Sequence, residues 1–370
     1  MIYAIAIVWM FLCGFSCRHI PAIRDKGTVF SRKAVIVSAF SMLFLISAFR
    51  SYQVGIDTLN YVRKFTLIQE HSFGEILSRL YTERVEFGYA FLNRLCGVLF
   101  GHPRSILVVS SAVVCYGMAN YIFRYTDFDW EAVILFTCCG LFLDSLNITR
   151  QIMACVMMMN AWGALTHKTY GRSAAWFFAG ISLHITSAVF VVVYFFYFLR
   201  SNKGAFLISF GSSLVLAAFF RPVLRFASRY IHSFRYFDNA DDKIRAGGIW
   251  LLWAIELLLA GFFLISWLLD KDDGPAKEKG CLLEADKSCV PVFVVYYILF
   301  TFLGTRFNYL NRFGIYFLPF IIPLFLNFGR VIGEKSAVYG KLYRIGLMAG
   351  FFGYFMLSIG ADQYQYAFGW

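Results

Sequence analysis

Residues 34–50 read Ala34-Val-Ile-Val-Ser-Ala-Phe-Ser-Met-Leu-Phe-Leu-Ile-Ser-Ala-Phe49-Arg50. No charge interrupts the run between Lys33 and Arg50. Its length approaches the ~17–25 residues that span a bilayer core. It does not alternate apolar with polar residues as a barrel strand does. Within lipid only helices and closed barrels satisfy the backbone, so the run reads as a membrane helix.

The same signature recurs along the chain. Ile106–Phe123, Leu251–Leu269 and Leu342–Ile359 are further apolar runs. The composition agrees: of 370 residues 59% are hydrophobic and only 15% charged, where a soluble domain would have about a quarter charged. The expectation is an all-α polytopic integral membrane protein, a single domain over 1–370 with about 11–13 transmembrane helices. Ile2–Cys17 reads as a first membrane helix and not as a cleavable leader, because no basic segment precedes it and Arg18 follows it.

Loop charges orient the bundle. Arg18–Lys33 carries Arg18, Arg24, Lys26, Arg32 and Lys33 against Asp25 alone, which marks it cytoplasmic. Helix 34–49 then delivers Arg50 to the outer face. Residues 50–104 read as an extracytoplasmic segment whose moderately apolar stretch 86–100 is an interfacial or re-entrant helix. Counting 86–100 as a span would move Lys168, Arg172 and the Lys-rich loop 270–289 outside. Further spans fall near 104–123, 131–143, 149–166, 173–183, 185–199, 204–220, 249–269, 290–304, 313–329 and 341–359. Segments 131–143 and 173–183 are short, and short or broken helices often mark a site. Residues 221–248 form an outer loop, where Arg221, Arg225 and Arg229 repeat every four residues beside an apolar face, as in an amphipathic interfacial helix.

This topology puts 10 Lys and 8 Arg inside but 2 Lys and 14 Arg outside. Arginine grips phosphate through a rigid fork of donors, whereas lysine is a hydrated point charge. An outer face built on arginine therefore points to a phosphorylated ligand. The net charge of +12 reads as cytoplasmic anchoring and anionic-lipid contact, not nucleic-acid binding. The nine cysteines have no zinc-like spacing and read as packing residues.

Four polar groups carry candidate chemistry. In Arg50…Gly55-Ile-Asp57…Tyr61, Gly55 permits a turn and Asp57 is either a helix cap or a functional carboxylate. In Asn147-Ile-Thr-Arg150-Gln151, the named side chains share one helix face. An Arg at that depth faces protein or water, because lipid exposure costs ~2.5 kcal/mol or more. His184 and Ser187 flank a helix break, and His suits a base near neutral pH. In Arg306…Tyr309…Arg312…Tyr316, paired arginines and tyrosines suit a diphosphate, and Pro319 and Pro323 can kink the helix. No Walker, dinucleotide or HExxH motif occurs, and no metal or cofactor is called for.

These groups, in this order and from about residue 35 to 330, resemble the EpsG family, which is allied to Wzy-type O-antigen and capsular polysaccharide polymerases. The Ile after His184 departs from the aromatic common there. The resemblance implies a GT-C-like membrane glycosyltransferase in the bacterial inner membrane. It would pass a growing glycan from a polyprenyl diphosphate carrier to a lipid-linked oligosaccharide repeat unit at the outer face. Partners implied are that lipid-linked oligosaccharide, membrane lipid, and a chain-length regulator and flippase of the same pathway. Arg50, Arg150, Arg306 and Arg312 are then the diphosphate ligands, and Asp57 or His184 the base. Tyr61, Asn147, Gln151, Ser187, Tyr309 and Tyr316 support them. The rivals are an O-antigen ligase-like enzyme, which usually carries a larger periplasmic loop, and a lipid-linked oligosaccharide flippase. A purely structural role fits poorly with Arg, His and Asp gathered on one side.

Overall fold

A computed structural model describes residues 2–19, 28–83, 85–126, 129–199, 290–304, 310–360 and 364–367, with isolated positions between 208 and 229. Among these residues the fold is all-helical. The spans expected at 204–220 and 249–269, the amphipathic segment 221–248 and the loop 270–289 lie outside them, save for those isolated positions.

The apolar runs become helices close to where the sequence puts them. They are α1 (Ile2–His19), α2 (Thr28–Ala48), α3 (Thr58–Glu70), α4 (Phe73–Glu83), α5 (Phe87–Phe100), α6 (Arg104–Tyr125), α7 (Asp129–Cys138), α8 (Leu141–Asn147), α9 (Thr149–Thr166) and α10 (Tyr170–Leu183). A 3-10 segment, Ile185–Phe190, leads into α11 (Val191–Leu199). The chain resumes with α12 (Val290–Gly304), α13 (Asn311–Gly314), α14 (Leu318–Lys335) and α15 (Ala337–Ser358).

By length and apolar composition Val29–Ala48 and Arg104–Tyr125 can each cross a membrane, and α7 with α8 makes a third if the pair counts as one span. That pair bends by 49° at Gly140, whose φ of +101° suits a residue without Cβ. Four further apolar helices are shorter than a span. Two or three of the expected eleven to thirteen spans therefore meet both criteria among the described residues; the spans expected at 204–220 and 249–269 lie outside these, and some of the others are broken. The break at 184–190 splits one; another falls just before Pro319, so α14 opens with that proline instead of being kinked by it.

Helix packing is close where one side chain is missing. A Cβ on Gly180 would meet Met158 and the Ala154 carbonyl, and one on Gly117 would meet Val156, so α9 is held tightly against both α10 and α6. Aromatic rings knit the later helices to the 3-10 segment. Phe293 stacks on Phe320 at 4.3 Å, and Phe190, fully buried, packs against Phe317 and Phe320. Large apolar side chains such as Trp9, Phe15, Val37, Phe91, Phe178 and Phe195 remain exposed on the outside of the bundle, as lipid-facing surface requires.

Hydrogen bonds fix which helix ends lie together. Arg32, near the start of α2, donates to the carbonyls of Phe123 and Thr126 at the end of α6. At the other end of these antiparallel helices, Arg104 donates to the Arg50 carbonyl at 3.0 Å. Ser51 donates to the Ala367 carbonyl, Tyr366 to that of Ile46, and Tyr3 packs edge-on to Tyr366. The start of α1, the end of α2 and residues 364–367 therefore share one end of the bundle.

Helix α5 also belongs to that end. Its first flank, Glu86, contacts Arg150, and the chain reaches Arg104 only three residues past its C-cap Gly101. A helix of this length rises about 21 Å, which so short a link cannot retrace. It therefore lies across the end of the bundle. Arg94 clamps it there by donating to the carbonyls of Ile68, Gln69 and His71.

Candidate active site

The site grows from three helix breaks. Between α8 and α9, Ile148 takes a non-helical conformation (φ −95°, ψ 49°), which starts α9 at Thr149 and presents Arg150 in its first turn. After α10, His184 is extended (φ −158°, ψ 115°) and leaves the helix before the 3-10 segment. Ahead of α5, Glu86 stands at the N-cap position in extended backbone but makes no side-chain cap bond. Its carboxylate is turned elsewhere.

That carboxylate joins the other two breaks. Glu86 Oε2 accepts from Arg150 Nη1 at 2.6 Å, and Oε1 lies 2.9 Å from His184 Nδ1. The backbone N–H of Ile185 adds a longer contact to Oε1 at 3.4 Å. The three side chains keep roughly a fifth of their surface open: 17% for Arg150 and Glu86, 21% for His184. Burial would raise the Glu86 carboxyl, but the Arg150 guanidinium and the His184 hydrogen bond outweigh it and hold the group down at about 2. An ionised carboxylate only accepts, so the contact requires a hydrogen on Nδ1, and the neutral ring carries its lone pair on Nε2.

Tyrosines frame the guanidinium. The Arg150 Cζ lies 5.2 Å from the Tyr89 ring centroid and 5.9 Å from that of Tyr61. Tyr61 donates to the Asn147 carbonyl at 3.0 Å, and the Asn147 side chain accepts from the Asp57 N–H at 3.2 Å. Gly55, at φ +86°, makes this approach possible, since a Cβ there would strike the Leu146 carbonyl at 2.2 Å. The Asp57 carboxylate makes no cap bond and is half-buried beside the cluster.

The C-terminal helices close the other side. The Gln151 side chain donates to the Arg312 carbonyl, and Thr186 shares a hydrogen bond with Tyr316 at 2.9 Å. The Arg312 charge acts on both Tyr61 and Asp144. The second and third polar groups of the sequence thus meet at one end of the bundle, with Arg312 and Tyr316 of the fourth and Tyr61 and Asp57 of the first beside them.

Two expected residues sit differently. Arg50 is fully buried. It donates to the Ser47 carbonyl at 2.5 Å, to the Ser47 hydroxyl at 3.3 Å and to Thr149 at 3.5 Å, so it ties the end of α2 to the start of α9. Ser187 is buried as well, and its hydroxyl has no hydrogen-bond partner among the described residues. Arg306 and Tyr309 lie outside the described residues.

Sequence reasoning missed three residues. Glu86 is one of several acids in a segment of mixed charge, with Glu83 three residues before it and nothing local to set it apart. Lys64 on α3 is half-buried near Arg150, Glu86 and Asp57; burial first, then the Arg150 charge, lowers its ammonium to about 8. Asp144 is a single acid inside an apolar stretch, which is itself a signal of function. Among the described residues no three His, Cys, Asp or Glu side chains group as a metal site would need.

The sequence profile of the EpsG family matches residues 33–368, nearly the whole chain. The chain belongs to the EpsG family. EpsG is a Wzy-type polymerase-like family, and membership supports a polysaccharide-polymerase-like membrane function. The apolar helices fit a membrane protein. No curated protein and no solved structure matches this EpsG-family chain.

Proposed function

We propose that this EpsG-family protein is a membrane glycosyltransferase that polymerises polysaccharide. It transfers a growing glycan from a polyprenyl diphosphate carrier to a hydroxyl of a lipid-linked repeat unit at the extracytoplasmic face of the bacterial cytoplasmic membrane. The observation that carries this reading is the Glu86 carboxylate held between Arg150 and His184. It sets a general base and an anion-binding group side by side. A GT-C-like arrangement, with the site at one end of a helix bundle, is the architecture we assign.

The chemistry follows from the parts. The acceptor oxygen attacks the anomeric carbon, and the bond from that carbon to the diphosphate oxygen breaks, its electron pair leaving with the diphosphate. His184 Nε2 takes the acceptor proton, because Glu86 keeps the other ring nitrogen protonated. The resulting imidazolium is stabilised by the same carboxylate. Arg150 and Arg312 offer planar forks of N–H donors to the negative charge that develops on the leaving group. Arg306 is assigned to the same task from its place in the sequence. Asp57 is assigned to binding the acceptor sugar, since its carboxylate is free of the cap bond and borders the cluster.

Membranes from a deletion strain complemented with Arg150→Ala or His184→Ala test this directly. Polymer should be absent while the protein remains in the membrane at normal level. Normal-length glycan from both variants sinks the assignment. An O-antigen ligase would instead lose all attached glycan on deletion, whereas loss of a polymerase still leaves single repeats attached.

A further inference from the structure

A polar cavity lies at the opposite end of the bundle from Glu86. It encloses about 160 Å³ between the last turns of α6 and α9 and the first turns of α10. Arg150 opens α9, whereas His167 follows its end, about 25 Å further at 1.5 Å per residue. The two sites are therefore separate.

The lining is cationic and amphipathic. Arg124, Arg172 and His167 share it with Asn120, Asn160 and Trp176, and none of the residues lining it is acidic. Arg124 comes from α6 and Arg172 from α10, yet both charges act on the phenol of Tyr125, which lines the same cavity. Among the described residues neither guanidinium forms an ion pair. Two arginines converging on one polar hollow with no carboxylate constitute a site for a doubly contacted anion.

The surroundings narrow the ligand. On the outside of the same two helices, Tyr116 and Phe178 are exposed at 76% and 66%, which gives apolar surface beside the polar hollow. Arg32 and Lys33 sit over the Phe123 ring at 5.2 and 5.6 Å, so this end of the bundle carries a cationic collar. Trp176, apolar in body with one polar N–H, is the kind of side chain that rests at a bilayer interface. Basic pockets between membrane helices suit phospholipid headgroups.

We infer that this cavity seats the phosphate of an anionic phospholipid, with its acyl chains along Tyr116 and Phe178. The shared chemistry is a phosphate held by Arg124 and Arg172, and free phosphate could also supply it. The test uses the full chain, purified in detergent and stripped of lipid. Its thermal midpoint is read with phosphatidylglycerol, with phosphatidylcholine and with inorganic phosphate. Phosphatidylglycerol should raise the midpoint by several degrees, and the other two should not.

The rise should vanish in R124Q/R172Q. It should persist in K335Q/K341Q, which removes two exposed charges at the same end of the bundle, away from the cavity. If the double variant is not recovered, R172Q alone should show a smaller rise than the unsubstituted protein. The inference fails if R124Q/R172Q, or R172Q in its place, keeps the full rise, or if K335Q/K341Q loses it. It fails equally if phosphatidylcholine matches phosphatidylglycerol or inorganic phosphate alone reproduces the effect.

Discussion

Glu86 Oε1 stands 2.9 Å from His184 Nδ1, across 98 positions of the chain. The same carboxylate reaches Arg150 over 64 positions. One acid thus couples the end of α10 to the start of α9, and each of its oxygens has a separate task.

Glu86→Gln keeps the shape of the side chain and removes its charge. The amide no longer selects the Nδ1–H form of His184 or stabilises the imidazolium. Initial rates of chain growth per unit of folded protein in the membrane should fall by about 10²-fold or more, a loss beyond any fall in yield from the missing ion pair. An unchanged rate would make the contact structural only.

Asp57 and His184 are distinguished by paired variants. His184→Ala should lower the rate constant for transfer at saturating acceptor by about 10²–10⁴-fold. Asp57→Asn should act mainly on the acceptor concentration needed for half-maximal rate. The reverse pattern would move the base to Asp57.

Arg150→Lys retains charge but loses the planar fork. Its expected effect is a fall of about 10²–10³-fold in transfer rate, comparable to losing one donor from an oxyanion site. Near-normal polymer from this variant would show that a point charge suffices.

Arg50→Met tests stability instead of chemistry. It strands the Ser47 carbonyl and unties α2 from α9. A loss of about 2–3 kcal/mol is expected for buried hydrogen bonds to a charged group, read as lower membrane yield and a lower unfolding midpoint. Normal stability with lost activity would return Arg50 to the phosphate ligands.

Acid should loosen this end of the bundle. The Glu86 carboxyl titrates at about 2 in the folded protein and nearer 4.3 when unfolded. Between those values the unfolded state binds the extra proton, so stability falls as pH drops through that window. Glu86→Gln should flatten this part of the stability profile. An equal acid loss in both proteins would remove Glu86 as its cause.

Much of this was legible in sequence. The sequence puts helix 149–166 at the limits that α9 takes, because a mainly apolar stretch runs between the polar group Asn147–Gln151 and His167-Lys168. The helix break at His184 was visible in the polar group between two short runs. Glu86 was not visible: its meaning lies wholly in what the fold brings to it from residues 150 and 184. The burial of Arg50 is not legible in the sequence, because it depends on neighbours such as Thr149, remote in sequence. Asp144 could have been found, as a lone acid in an apolar stretch.

The most direct test is chain growth by the purified protein in proteoliposomes supplied with lipid-linked repeat units. The unsubstituted protein should yield a ladder of lengthening glycan on the lipid carrier, and Glu86→Gln and His184→Ala, folded and inserted to the same extent, should yield single repeats. Equal ladders from all three, or movement of repeat units across the bilayer without growth, would contradict the account.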